Sequence, residues 1–178
     1  ELVDINKLRD TRAKLAFSKM QCAGNDFIVF NAIDQVVENP EGLSVRLCNR
    51  RKGIGADSLV MVSLSDKADA AMRIFNQDGS EGKMAGNAIR CVAKYLFDNN
   101  VNGIADMIKK ADEHSANMTI ETEAGVKELT LYMQNGKVSS VKVDMGKPEF
   151  TPENIPTRIQ IPEGKEAIVN APINVEGI

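Results

Sequence analysis

The stretch NQDGSEGKMAGNAIRCVAKYL, Asn76 to Leu96, reads as a polar, glycine-marked turn feeding straight into a helix. From Gly86 to Phe97 the apolar residues Ile89, Val92, Ala93, Leu96 and Phe97 recur at helical spacing and form a broad stripe for burial. Arg90 and Lys94 point elsewhere, and Asn99, Asn100 and Gly103 end the helix. The start of this helix carries the chemistry. The first N–H groups of a helix lack intrahelical acceptors, and the macrodipole adds partial positive charge there. Such an end binds anions, an amino-acid carboxylate among them. Gly86 lets a ligand approach the backbone, and Asn87 offers donors and an acceptor. A side chain at position 85 would sit beside that carboxylate, near the ligand's α-carbon, where an acid–base group is wanted. A cysteine there would have its thiolate favoured by the dipole. The residue is Ala85, which is inert. Taken alone, these residues also fit a plain capped helix packed on a sheet.

On the N-terminal side, Phe17 to Met20 and Phe27 to Phe30 read as short strands joined by a turn at Ala23-Gly24-Asn25-Asp26. Pro40 to Arg50 reads as a short helix with Leu43, Val45 and Leu47 on its apolar side. RKGIGAD (51–57) is a glycine loop, and SLVMVSL (58–64) and AAMRIFN (70–76) are strands. GIGAD fits a tight turn into a strand or a backbone nest for an anion. It lacks the third glycine of a dinucleotide fingerprint, and a strand follows instead of a helix. On the C-terminal side, GIADMIKKADEH (103–114) has a weaker amphipathic pattern. NMTIETEAG, VKELTLYMQNG and KVSSVKVDMGKP (117–148) alternate apolar and polar residues, and Asn135-Gly136 is a hairpin signal. Proline recurs from Pro148 to Pro172, as in loop or edge structure, and VNAPINVEGI (169–178) looks like the start of a further strand. Strands, then a helix, then strands joined by hairpins favour an α+β class over an alternating parallel sheet.

A chain of 178 residues can build one domain with a real core, or one domain and part of another. The formal net charge of −3 points to neither nucleic acid nor an anionic membrane as partner. No apolar run approaches the roughly 20 residues of a membrane span. The opening residues ELVDINKLRDTRAKLAF have no apolar signal region. Cys22, Cys48 and Cys91 form no CxxC pair, which fits free thiols in a reducing, cytoplasmic setting. With His114 as the single histidine and no Cys/His cluster, no metal site is expected.

Taken together, FSKMQCAGNDFIVFNAID (17–34), GIGADSLVMV (53–62), MRIFNQDGSEGKMAGNAIRCVAKYL (72–96) and VKVDMGKPEF (141–150) resemble the diaminopimelate epimerase family in order and spacing, from Phe17 to about Pro156. The resemblance implies two similar α+β domains, each a curled, mainly antiparallel sheet around a central helix. It implies interconversion of LL- and meso-diaminopimelate in lysine biosynthesis, with no pyridoxal phosphate, metal or other cofactor. One cysteine from each domain works on the α-proton, one as thiolate and one as thiol. Carried over by position, Asn25, Ser58 and Asn76 would contact substrate, and Gly86 and Asn87 would bind its α-carboxylate. The implied partner is a small-molecule substrate, and family members commonly form homodimers. The domains expected are a variable leader at 1–15, an N-terminal epimerase domain at 16–116, and an incomplete second domain from 117 to 178.

This sequence departs from the family pattern at Ala85, where the family has its first catalytic cysteine, and no second cysteine half-site can be assigned. Cys91 is a poor substitute: six residues on, it stands roughly 240° around the helix and about 9 Å along it. It is expected to be buried in the helix packing. The chain as written is therefore expected to be catalytically inactive. Three readings stand: an epimerase whose cysteine has been replaced, a non-catalytic amino-acid-binding homologue, and a cofactor-independent racemase of another amino acid.

Overall fold

The computed structural model describes residues 14–108, 111–155, 157, 159 and 161. Most of the expected leader and the strand expected at 169–178 lie outside the described residues. One compact unit extends to Asp144, and a second begins at Met145.

The first unit is built on a mixed eight-stranded sheet. Strands β1 (Ser18–Cys22) and β2 (Asn25–Asn31) form an antiparallel hairpin. Its turn is only Ala23-Gly24, both at positive φ. Asn25 and Asp26, expected in the turn, instead open β2, paired with Cys22 and Gln21. A crossover containing helix α1 (Pro40–Leu47) leads to β3 (Ser58–Ser63), which runs parallel to β2. β4 (Ala70–Asn76) returns antiparallel to β3 and carries the two-residue β5 (Glu81–Gly82), which the sequence reading did not foresee. Helix α2 (Gly86–Asp98) crosses over to β6 (Ser115–Thr122), parallel to β4. β7 (Gly125–Gln134) and β8 (Lys137–Val143) complete an antiparallel meander. The Asn135-Gly136 turn has positive φ at both residues, as the sequence pattern predicts. The two parallel pairs arise at the two helical crossovers, because a tight hairpin can join only antiparallel neighbours.

Helix α2 contacts both edge strands, β1 and β8, and interior strands β2, β4, β6 and β7. A sheet that touches one helix with its edges and its middle must curl around it. Ile89, Val92, Ala93 and Leu96 of α2 meet Val29, Val60, Ile74, Met118, Ile120 and Leu131 in the main core. The opposite face of β2–β4 is also covered: Ile28, Phe30, Leu59 and Phe75 pack with Leu43 of α1. Side chains alternate across a strand, so burial on both faces demands an unbroken apolar run. FIVF (27–30) is that run.

Three expectations are corrected. On α1, Leu43 is buried but Val45 is exposed, because residues two apart stand about 200° apart on a helix. Ser44 turns inward instead, and its Oγ reaches Phe75 O at 3.1 Å and Asn76 O at 2.7 Å. The helix expected at 103–114 is confined to α3 (Ile104–Met107), with a 3₁₀ turn at Val101–Gly103 before it. The chain does not divide at 116/117: β6 pairs with β4, and Met118, Ile120, Leu131 and Val138 share the core around α2. In the second unit the described backbone makes a 3₁₀ turn at Pro152–Asn154. The Glu149 carboxylate accepts there from Phe150 N, Thr151 N and Asn154 Nδ2. Among the described residues no helix is long and apolar enough to cross a membrane.

Candidate active site at the start of the central helix

The two longer helices begin differently. α1 has a side-chain cap: Asn39, in the left-handed region (φ 47°), accepts at Oδ1 from Gly42 N at 3.0 Å, and Pro40 and Glu41 open the first turn. α2 has Ala85 at its N-cap, in extended conformation (φ −138°, ψ 116°), with no side-chain acceptor and no acidic residue in the first turn. Its first intrahelical bond is Ile89 N to Ala85 O, 3.0 Å. A helix lacking a good N-cap forgoes about 1 kcal/mol. The sequence leaves the donors and positive dipole end of α2 unspent where α1 spends its own.

That helix start faces one end of the sheet. The register sets Phe27 beside Ser58 and Ser58 beside Asn76, so the ends of β2, β3 and β4 lie together. Between them and α2 is a cavity of about 320 Å³. Asn25, Ser58, Asn76, Ala85, Gly86 and Asn87 all line it, with Asp57, Phe27, Ile74, Gly82 and Met84. All six positions singled out from sequence are thus brought to one cavity. Ser58 is buried at the start of β3. Asn76 is held by its backbone N–H on Ser80 O (2.8 Å) and its Nδ2 on Ser80 Oγ (3.0 Å).

A set of charges that the sequence reading did not assign reaches the cavity wall at Asp57. Asp26 N donates to Asp57 Oδ2 (3.1 Å), and Asp57 N donates to Asp26 Oδ1 (3.0 Å). Arg50 bridges the two carboxylates, with both Asp26 oxygens at 2.7 and 3.0 Å and Asp57 Oδ1 at 2.8 Å. Lys19 Nζ adds a bond to Asp26 Oδ2 at 2.8 Å. The bidentate Arg50 guanidinium, then Lys19, hold the Asp26 carboxyl well below the usual carboxylate range. Asp57 is lowered too, first by the Asn25 amide that donates to it and then by Asp26 N–H and Arg50. The signal available in the sequence was a matched pair of turns, AGND and GIGAD, each ending in aspartate near a basic residue. Arg90, expected to point elsewhere, folds back onto the first turn of α2 and bonds Asn87 Oδ1 and Gly86 O.

The cysteines stand apart from this chemistry. Cys91 is buried in the core, and burial pushes its thiol up to about 11. It lines a different cavity of about 450 Å³, with Cys22, Lys19 and Arg90. Cys48 is buried against α1, which raises its thiol as well.

A sheet curled around one helix has solved counterparts. The chain resembles a hydroxyproline epimerase from Agrobacterium vitis (TM-score 0.54, 18% identity, 71% of this chain and 40% of that one). It also resembles a probable proline racemase from Agrobacterium radiobacter K84 (TM-score 0.57, 21% identity, 73% and 41%). The architecture is therefore the one found in those racemases and epimerases. Residues 17–151 match the family model of diaminopimelate epimerase, and this chain belongs to that family. It is 42% identical over 163 residues to the diaminopimelate epimerase of Acetivibrio thermocellus, covering 92% of this chain and 53% of that protein. It is 48% identical over 142 residues to that of Methanococcus maripaludis strain S2, covering 80% and 47%. The chain spans about half the length of these relatives.

Proposed function

We propose that this chain carries one half of an amino-acid epimerase site, which binds the α-carboxylate of diaminopimelate at the start of α2. The whole protein would interconvert the LL and meso forms in lysine biosynthesis. The carrying observation is the convergence of Asn25, Ser58, Asn76, Gly86 and Asn87 on one cavity at a helix end without a cap. N–H groups there would hold the carboxylate and stabilise negative charge spreading onto it as the α-proton leaves. Inversion needs a base on one face of the α-carbon and an acid on the other. Position 85 lies on the cavity wall where the family has the first of these groups, and a methyl side chain can neither take nor give a proton. This chain therefore binds without turnover.

Adding meso-diaminopimelate to ¹⁵N-labelled chain should shift the Gly86 and Asn87 backbone amides, with no α-proton exchange in heavy water. Shifts confined to the Cys22–Cys91 cavity, or α-proton exchange catalysed by the chain as written, would reject the reading. In an Ala85→Cys variant, the new thiol should alkylate faster than Cys91 and have a pKa below the usual thiol value, and the ligand should protect it. A thiol that alkylates at the ordinary rate counts against the placement of position 85.

A further inference from the structure

The side-chain amides of Asn25 and Asn87 belong to a hydrogen-bond series that runs in one direction. The Arg90 guanidinium donates to Asn87 Oδ1 and, through Nε, to Gly86 O at 3.1 Å. Asn87 Nδ2 donates to Asn25 Oδ1 at 2.6 Å. Asn25 Nδ2 donates to Asp57 Oδ2 at 3.0 Å, and the other Asp57 oxygen accepts from Arg50 at 2.8 Å. Arginine can only donate and an ionised carboxylate can only accept, so both ends of the series are fixed. Turning Asn87 over would set its NH₂ against the guanidinium. Turning Asn25 over would set its oxygen against the carboxylate. Among the described residues each Oδ1 accepts one bond of the series and keeps one lone pair, and each Nδ2 has spent one hydrogen of two. Because neither amide can turn over, each keeps one N–H for the cavity.

We propose that Arg90 and Asp57 are positioning residues that hold the Asn25 and Asn87 amides in this one direction. They thereby hold one N–H from each amide for the cavity and make its wall selective for a group with two acceptor oxygens, a carboxylate over a carboxamide. The selectivity rests on the carboxylate reading above; the direction of the amides does not. Asp57 makes the test decisive. By charge alone, an anion beside the cavity disfavours a carboxylate, so its removal should strengthen carboxylate binding. If Asp57 acts through Asn25, its removal should weaken that preference.

Side-chain amide exchange in the unliganded ¹⁵N-labelled chain reads the direction first. On each of the Asn25 and Asn87 Nδ2 groups the hydrogen engaged in the series should exchange slowly, and Asp57→Ala should accelerate both engaged hydrogens by about tenfold or more, including that of Asn87 two links away. Arg90→Met should do the same from the other end, and Arg90→Lys, which keeps a donor, should restore much of the protection. Amides in the parent chain that exchange as freely as an unstructured asparagine overturn the proposal without any variant having to fold. An Asn87 amide that does not respond to Asp57→Ala also overturns it. Titration then compares meso-diaminopimelate with its diamide. The parent chain should prefer the acid by about tenfold, and Asp57→Ala should reduce that preference to about threefold or less. A preference that rises in Asp57→Ala rejects the selectivity. Slow-exchanging amides with no binding of either ligand reject the selectivity together with the carboxylate reading, and leave the positioning of the amides standing.

Discussion

Ala85 concentrates the conflict between stability and binding in a single residue. A serine at the N-cap would accept from the first-turn N–H groups and stabilise α2, whereas a ligand carboxylate needs those same donors. Ala85→Ser should therefore raise unfolding stability by about 1 kcal/mol and weaken meso-diaminopimelate binding by about tenfold. A thermal melt paired with an amide-shift titration reads both. A variant that gains stability and binds as before would mean that the donors at the helix start are not the ones the ligand uses. The six cavity positions were legible in sequence because each lies in a short motif whose residue types suit one task, and the motifs match a known family in order. Asp57, Arg50 and Arg90 were not legible as site residues. The parts of Asp57 and Arg50 come from pairings across the fold, such as Arg50 with Asp26 and Asp57 with Asn25, between motifs that the chain separates, whereas Arg90 pairs locally with Asn87 and Gly86.

At the scale of elements, α2 organises both core and site. Its stripe from Ala88 to Phe97 is buried against most of the sheet, with Ile89, Val92 and Leu96 fully enclosed. Leu96→Ala should cost about 2–5 kcal/mol, measured by denaturant unfolding with an unchanged slope. Val45→Ala on the exposed side of α1 should stay within about 0.5 kcal/mol. Equal losses in the two variants would mean that α2 is not the centre of the core. This helix and the Asn-Gly hairpin could be read directly because their signals are local: a 3.6-residue period, and a two-residue turn that needs positive φ. The α1 face was misread because a run with alternate apolar residues suits a strand, and tertiary packing selected Ser44 to face β4. The parallel pairs β2/β3 and β4/β6 left no local trace. They are fixed by what two crossover helices bury, and that also carries the sheet past the expected division at 116/117 to β8.

At the scale of the whole molecule, the Lys19–Asp26–Arg50–Asp57 group ties β1 and β2 to the crossover that delivers β3. Two carboxyls in it are held below their ordinary range, which fixes the sign of the acid response. A depressed folded-state pKa contributes stability that is complete above the unfolded value of about 3.9 and is lost as pH falls from there toward the folded value. Arg50→Met removes the bidentate partner of Asp26, so the folded and unfolded pKa values approach one another. The variant should be less stable than the parent at pH 7, and the gap should narrow progressively as pH falls below about 5 toward the folded-state values. Arg50 is half exposed, so the gap should be modest and should shrink further in about 1 M salt. Melting temperatures of the two chains across that pH range measure it. A gap that stays constant with pH would show that Arg50 contributes through packing of its stem, not through the carboxylates it joins. The same substitution should loosen Asn25, since Asp57 holds Asn25 while Arg50 holds Asp57. Acid and loss of Arg50 should therefore weaken ligand binding in parallel with stability. A binding loss that begins at a higher pH than the stability loss would instead mean that binding depends on a titrating group outside this cluster.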